Sequence, residues 1–144
     1  MALVIDDALL LTVLAGSPTF ELAEAMRAGE LFTTSSWYYR LGRAAHDRSF
    51  LGALSRAIEA LPAERQAGVA TALDALPDEI GLPDMRDLVP VMRRLEAGRQ
   101  VNFLTAEAVA LALVFGGGIR VTTRSPLLEG ACRALGVDAV VVEL

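Results

Sequence analysis

The sequence is poor in the residues that build disulfides, histidine sites and lysine-rich surfaces. Its 144 residues include one cysteine, Cys132, one histidine, His46, and no lysine, so that all thirteen basic residues are arginines. A single cysteine excludes an internal disulfide and favours a reducing compartment. The chain also has no Cys-X-X-Cys motif, no P-loop and no serine in a nucleophile elbow, which excludes several common catalytic arrangements.

Long apolar runs are missing as well. The longest one, residues 108–115, is far shorter than the roughly 20 residues of a membrane-spanning helix, and no basic segment precedes an apolar one as in a signal peptide. We therefore expect a cytoplasmic protein with no membrane partner. The net charge of −5 weakens non-specific binding to phosphate backbones, although a local arginine cluster would still be able to bind one.

The chain does contain a regular alternation of short apolar runs with helical patterns, and 53% of its residues are hydrophobic. Strands are predicted at residues 3–5, 30–33, 79–82, 119–122 and 138–142. Helices are predicted at residues 8–15, 20–28, 49–60, 84–97 and 104–115. Further helices are predicted from residue 34 onward, from residue 62 to before residue 77, and after the strand at 119–122 up to residue 135. This order predicts an α/β fold with one domain over residues 1–144. In the predicted fold, a central parallel sheet of four to five strands has residues 3–5 in its centre and helices on both faces.

The candidate functional groups are carboxylates in apolar surroundings. Asp6 and Asp7 follow the first predicted strand, and Glu107 lies in the most apolar predicted helix. Burial of a lone carboxylate costs several kcal/mol, roughly, unless it is paired or binds a metal. Glu107 has two interpretations: an acid at a helix start that opposes the helix dipole, or a group that points with Asp6 into one crevice. His46 is interpreted as a solvated helix residue and Cys132 as a core residue.

Four segments cover most of the chain in a distinctive order. They read LVIDDALLL, GELFTTSSWYYRLGRA, LPDEIGLPDMRDLVPVMRRLE and NFLTAEAVALALVFGGGIRVTTRSPLL. In this order the chain resembles a PIN domain, the fold of the VapC-type toxin ribonucleases and related metal-dependent nucleases. The first segment resembles a strand that ends on an acid, and the last resembles a helix that carries an acid, a strand and a Thr-X-Asp turn. The resemblance implies a three-layer fold with a central parallel sheet and helices on both faces.

The resemblance also implies a chemistry. Members of the family use about four acids to hold one or two Mg²⁺ or Mn²⁺ ions, which activate water on a phosphodiester. Asp6 matches the first of these acids and Glu107 matches the third, so both are expected as metal ligands and catalytic residues. Asp7 is expected to point elsewhere, because adjacent residues leave a strand on opposite sides.

The sequence departs from the family pattern at the other positions. The second acid falls near Tyr39 or Arg40, and the fourth falls on Ser125, which is expected as a weak ligand or a holder of water. Ala8 stands where the family has a hydroxyl. Each lost carboxylate weakens a site for a hard cation, so the resemblance implies a degenerate active site. Arg40 is expected in or beside the crevice as a counter-ion of Asp6 or Glu107, unless it faces solvent while Tyr39 points inward.

Two hypotheses about function follow. The first is a PIN-like protein related to the VapC-type, Mg²⁺- or Mn²⁺-dependent ribonucleases of toxin–antitoxin systems, with weakened or lost nuclease activity. The second is a non-catalytic PIN-like binding or scaffold protein that acts through protein–protein interaction. Expected partners are a second copy of the chain, an antitoxin-like protein and RNA. The homodimer is also favoured by Trp37-Tyr38-Tyr39, because three consecutive aromatics on a helix cannot all face one core and aromatics are enriched at interfaces.

Overall fold

Five parallel strands form the centre of the molecule. The computed structural model describes residues 1–47 and 52–144, and the strand order in its sheet is β3-β2-β1-β4-β5. The strands are β1 (Leu3–Ile5), β2 (Leu31–Thr33), β3 (Ile80–Gly81), β4 (Gly118–Val121) and β5 (Ala139–Val141). Every neighbouring pair is parallel, and β1 lies in the middle, which confirms the predicted architecture.

Eight helices connect and cover the strands within the described residues. They are α1 (Asp7–Leu14), α2 (Phe20–Arg27), α3 (Ser35–His46), α4 (Ala53–Glu59), α5 (Ala63–Asp74), α6 (Met85–Glu96), α7 (Phe103–Phe115) and α8 (Pro126–Leu135). The predicted helix start at Ser49 lies outside the described residues. Pro62 was predicted as the first helical residue, but it is the N-cap of α5, one position earlier. Across residues 1–47 and 52–144, none of the helices has the length and apolar character needed to cross a lipid bilayer.

The sheet separates two apolar cores, because successive side chains of a strand point to opposite faces. Val4 and Ile119 face a core that α6, α7 and α8 cover. Leu3 and Ile5 face a second core that includes side chains from α1, α2, α4 and α5. Helix α3 contributes to both, with Trp37 in the first core and Leu41 in the second. The buried strands therefore read as continuous apolar runs, as expected of a parallel sheet covered on both faces.

One glycine is required by a close approach of two backbone segments. Gly117 lies between α7 and β4, next to the start of β1. A Cβ atom on Gly117 would lie 2.3 Å from the carbonyl oxygen of Ala2, a distance far below van der Waals contact. The same carbonyl accepts a hydrogen bond from Gly118 N at 2.9 Å, so the backbone there cannot move away without loss of sheet pairing.

Substitution of Gly117→Ala is therefore expected to destabilise the protein by about 2 kcal/mol or more. The matched control is Gly130→Ala inside α8, where a Cβ would meet no atom within 4 Å and alanine should stabilise the helix by roughly 0.5–1 kcal/mol. Urea denaturation of both variants measures the difference. Equal stability of the two variants would contradict the close approach.

Candidate functional site

A polar pocket of about 310 Å³ opens at the carboxyl ends of β1 and β4. In parallel α/β sheets this edge is where ligands bind, because the loops that follow adjacent strands form a crevice there. The lining residues come from the starts of α1, α7 and α8 and from α3, and they are Asp6, Asp7, Trp37, Arg40, Asn102, Leu104, Val121, Thr123, Arg124, Ser125 and Leu128. The pocket thus contains two carboxylates and two guanidinium groups.

Asp6 is held by donors from its own helix and from β4. It is the N-cap of α1, and its Oδ1 accepts a hydrogen bond from Leu9 N at 2.9 Å. Its Oδ2 accepts bonds from Thr122 N at 2.6 Å and from Thr122 Oγ1 at 2.9 Å. Each oxygen of this buried carboxylate therefore has a protein partner, and the charge is compensated without a metal ion.

Asp7 lies in the same pocket as Asp6, so the expectation that it points elsewhere is wrong. The alternation of a strand ends at Ile5, and Asp7 is already the first residue of α1. Its Oδ1 accepts a hydrogen bond from Ala8 N at 2.9 Å, whereas the buried Oδ2 has no hydrogen-bond partner. Burial raises the pKa of the Asp7 carboxyl above its ordinary 3.8; Arg40 lowers this pKa and Asp6 raises it by smaller amounts.

Arg40 forms an ion pair with Asp7, at 3.4 Å between Nε and Oδ2. Arg40 lines the pocket together with Asp6 and Asp7, but its partner is neither Asp6 nor Glu107. Those two carboxylates already have backbone and hydroxyl donors, so Asp7 is the acid that needs a cation. The Arg40 side chain is 53% exposed, and Tyr39 is 70% exposed, so Tyr39 does not take the inward position.

Glu107 has no exposed surface, and its carboxylate binds the start of another helix. Oε2 accepts a hydrogen bond from Ser35 N at 2.9 Å, Oε1 accepts one from Ser36 N at 3.1 Å, and Ser35 Oγ also donates to Oε2. These donors are the free N–H groups and positive dipole end of α3. The Glu107 carboxylate therefore compensates the positive end of the α3 dipole and not that of its own helix, α7. Glu107 does not line the pocket of Asp6.

Ser125 lines the pocket and is the N-cap of α8, where its Oγ accepts a hydrogen bond from Leu128 N at 3.3 Å. Asn102 has the same role for α7, with Oδ1 accepting from Thr105 N at 2.8 Å. Serine and asparagine are preferred at such positions because their side chains satisfy an N–H group that the helix leaves free. The Ser125 hydroxyl is therefore engaged as the cap of α8.

These residues do not fit a divalent-cation site. Mg²⁺ and Mn²⁺ need several oxygen ligands with net negative charge, but the Glu107 carboxylate is turned to α3 and two arginines line the pocket. Within residues 1–47 and 52–144, no three His, Cys, Asp or Glu side chains are close enough to hold a metal ion.

Sequence reasoning missed two polar residues that the fold makes important. Thr122 follows β4 and donates both its N–H and its hydroxyl to Asp6. Arg120, on β4, is 7% exposed and pairs with Glu21 at 3.0 Å and with Asp138 at 3.2 Å. The sequence signal that could have identified them is a polar residue inside or directly after an apolar strand. A polar side chain at such a position is buried and needs a hydrogen-bond or ion-pair partner.

The remaining candidates have ordinary environments. The side chain of His46 is half exposed and lies 3.6 Å from Asp74, which confirms a solvated helix residue. Cys132 is buried, and burial, with a smaller contribution from Asp138, raises the pKa of its thiol to about 11. A thiol with such a pKa is not a nucleophile near neutral pH, so Cys132 is a core residue.

No family model matches the sequence, and no curated protein matches it. The resemblance to PIN domains therefore depends on the quoted segments and on the positions of the acids.

The role of Glu107 can be measured directly. Glu107→Ala leaves the backbone N–H groups of Ser35 and Ser36 without an acceptor and opens a cavity, so we expect a loss of about 3 kcal/mol or more in unfolding free energy. The control Glu96→Ala changes an exposed acid at the end of α6 and should alter stability by less than about 0.5 kcal/mol. Urea denaturation measures both, and similar losses in the two variants would disprove the capping role.

The raised pKa of Asp7 predicts a pH dependence of stability. The pKa of Asp7 in the folded state exceeds the 3.8 of the free group. At pH values between these two pKa values, the folded state therefore binds more protons than the unfolded state. The contribution of Asp7 is therefore present below pH 3.8 and is lost as the pH rises through the folded pKa. Asn cannot ionise, so the melting temperature of Asp7→Asn relative to wild type should rise with pH and then level off. Exposed Asp78→Asn is the control and should show no such trend.

Proposed function

We propose that the protein is a PIN-like protein, related to the VapC-type metal-dependent ribonucleases, that has lost nuclease activity and acts as a binding protein. One observation carries the proposal. The two acids that the resemblance assigns to the metal are held by protein donors, Asp6 by Leu9 and Thr122 and Glu107 by Ser35 and Ser36. Both carboxylates have structural roles where a nuclease would need them for cations.

Charge at the pocket supports the same conclusion. Arg40 lies 3.4 Å from Asp7, and Arg124 also lines the pocket. A divalent cation placed beside a guanidinium in a partly buried cleft would be repelled by several kcal/mol, roughly. Arg40 is therefore the cation that opposes Mg²⁺ or Mn²⁺ beside Asp7, whereas Arg124 pairs with Glu129 at 3.2 Å. Loss of the metal in turn removes the means of activating water.

The binding role that we propose is protein–protein interaction. Tyr39 is 70% exposed and lies on α3 next to Arg40, and aromatic and arginine side chains are enriched at the centres of protein interfaces. A second copy of the chain and an antitoxin-like protein are the partners to be tested first. RNA is the weaker candidate, because the net charge of −5 opposes contact with a phosphate backbone.

Loss of nuclease activity is tested with an RNA cleavage assay and a Mn²⁺ titration of thermal stability. Wild type should not cleave mixed-sequence single-stranded RNA in Mg²⁺ or Mn²⁺, and millimolar Mn²⁺ should not raise its melting temperature. Arg40→Glu places a third carboxylate beside Asp6 and Asp7, so this variant should melt lower without metal and recover stability with Mn²⁺.

The control for net charge is Arg86→Glu on α6, which does not line the pocket and should show no response to Mn²⁺. Cleavage by wild type that disappears in Asp6→Ala would overturn the proposal. Identical melting of Arg40→Glu and wild type, with and without Mn²⁺, would show that Arg40 does not act as a counter-ion in the pocket.

A further inference from the structure

A second and larger cleft, of about 560 Å³, lies on the other side of Asp7. Its walls are formed by one face of α1 and by α4, which contribute mainly alanine and leucine side chains. Leu11, Leu54, Leu61 and Leu144 are the large members of this apolar lining. The size and the apolar walls match those of small-molecule sites, which are concave and mostly apolar with a few placed polar groups.

The polar end of this cleft is formed by Asp7 and Arg40, which line it together with Thr122 and Thr123. Asp7 is 8% exposed, and its Oδ2 is the one buried side-chain nitrogen or oxygen atom, among those of the described residues, that has no hydrogen-bond partner. The nearby Arg40 Nε is at ion-pair distance, 3.4 Å, without forming a hydrogen bond. An unsatisfied buried carboxylate oxygen is costly, and a donor that reaches it would remove that cost.

We infer that this cleft binds a small apolar molecule that carries an ammonium group, with the apolar body between α1 and α4 and the ammonium on Asp7 Oδ2. The chemistry of the head is given by the unpartnered acceptor, because an ammonium offers a charged N–H donor where a carboxylate or a carbonyl group offers none. The chemistry of the body is given by the apolar walls. The cleft shares Asp7, Arg40 and Thr123 with the pocket of Asp6, but its apolar walls do not line that pocket. The inference is independent of the proposed loss of nuclease activity.

Charge around the head group favours a cation. Asp6 and Asp7 are adjacent, and Arg40 is the cation that pairs with Asp7. The Asp6 carboxylate has three donors, from Leu9 and Thr122, whereas Asp7 Oδ2 has none. The whole chain carries a net charge of −5, which raises the local concentration of organic cations over anions.

Arg40 competes with the ligand for Asp7 in this arrangement. Its side chain is 53% exposed, so it can turn into solvent and remain hydrated when a ligand ammonium takes its place. The ligand ammonium then replaces the guanidinium at the buried carboxylate, so Asp7 keeps a counter-ion. Removal of the guanidinium should therefore strengthen amine binding, which is a result that a purely structural role of Asp7 does not produce.

The test uses octylamine, with octanol and octanoate as probes of equal chain length, and isothermal titration calorimetry as the readout. Wild type should bind octylamine at least about tenfold more tightly than either of the others, because a charged hydrogen bond is gained with the amine alone. Asp7→Asn should bring octylamine binding down to the level of octanol. Arg40→Gln should tighten octylamine binding several-fold.

A steric variant locates the apolar body. Ala57 lines the cleft, and Ala57→Phe should abolish binding of octylamine and octanol alike, whereas Ala67→Phe on the exposed surface of α5 should leave both unchanged. The inference is overturned by octanoate binding as tight as octylamine, by unchanged affinity in Asp7→Asn or by no binding of octylamine to wild type. It is equally overturned if Mn²⁺ displaces octylamine, because the Asp7 oxygen would then belong to a metal site.

Discussion

The structure depends on the match between buried carboxylates and the free N–H groups at helix starts. Glu107 on α7 accepts bonds from Ser35 and Ser36 and so fixes the start of α3. Helix α3 in turn supplies Trp37 to one core and Leu41 to the other, and it presents Arg40 to the pocket. Without the Glu107 contact, the N–H groups at the start of α3, the helix that packs into both cores, would be buried without hydrogen-bond partners. Such burial is strongly unfavourable.

Asp6 uses the same principle at the centre of the sheet. Its carboxylate closes the first turn of α1 and also binds the backbone and hydroxyl of Thr122, so it joins β1, α1 and the end of β4. Asp7 is the exception, since one of its oxygens has no hydrogen bond and its nearest charge is Arg40. Asp6 and Glu107 thus accept hydrogen bonds at both carboxylate oxygens, whereas Asp7 Oδ2 has an ion pair with Arg40 and no hydrogen bond.

This division connects the proposed loss of nuclease activity with the proposed amine site. An acid that has become a cap cannot give its lone pairs to a hard cation without loss of stability, and an arginine beside the remaining acid opposes that cation as well. An organic ammonium has a single charge and needs fewer oxygen partners than a divalent cation. One acceptor oxygen and an apolar surface are sufficient to bind it. Asp7 and the cleft between α1 and α4 provide both.

The sequence by itself determined the elements of this protein, because their signals are local. Apolar runs predicted the strands, including the central one before Asp6, and the helices predicted at residues 20–28 and up to 135 correspond to α2 and α8. The alternation of elements was enough to predict a parallel sheet with helices on both faces. The tertiary structure alone decided the partner of each acid. Glu107 finds its donors 72 residues away and Asp6 finds Thr122 at a distance of 116 residues along the chain, and a choice among donors so far apart depends on which strands and helices become neighbours.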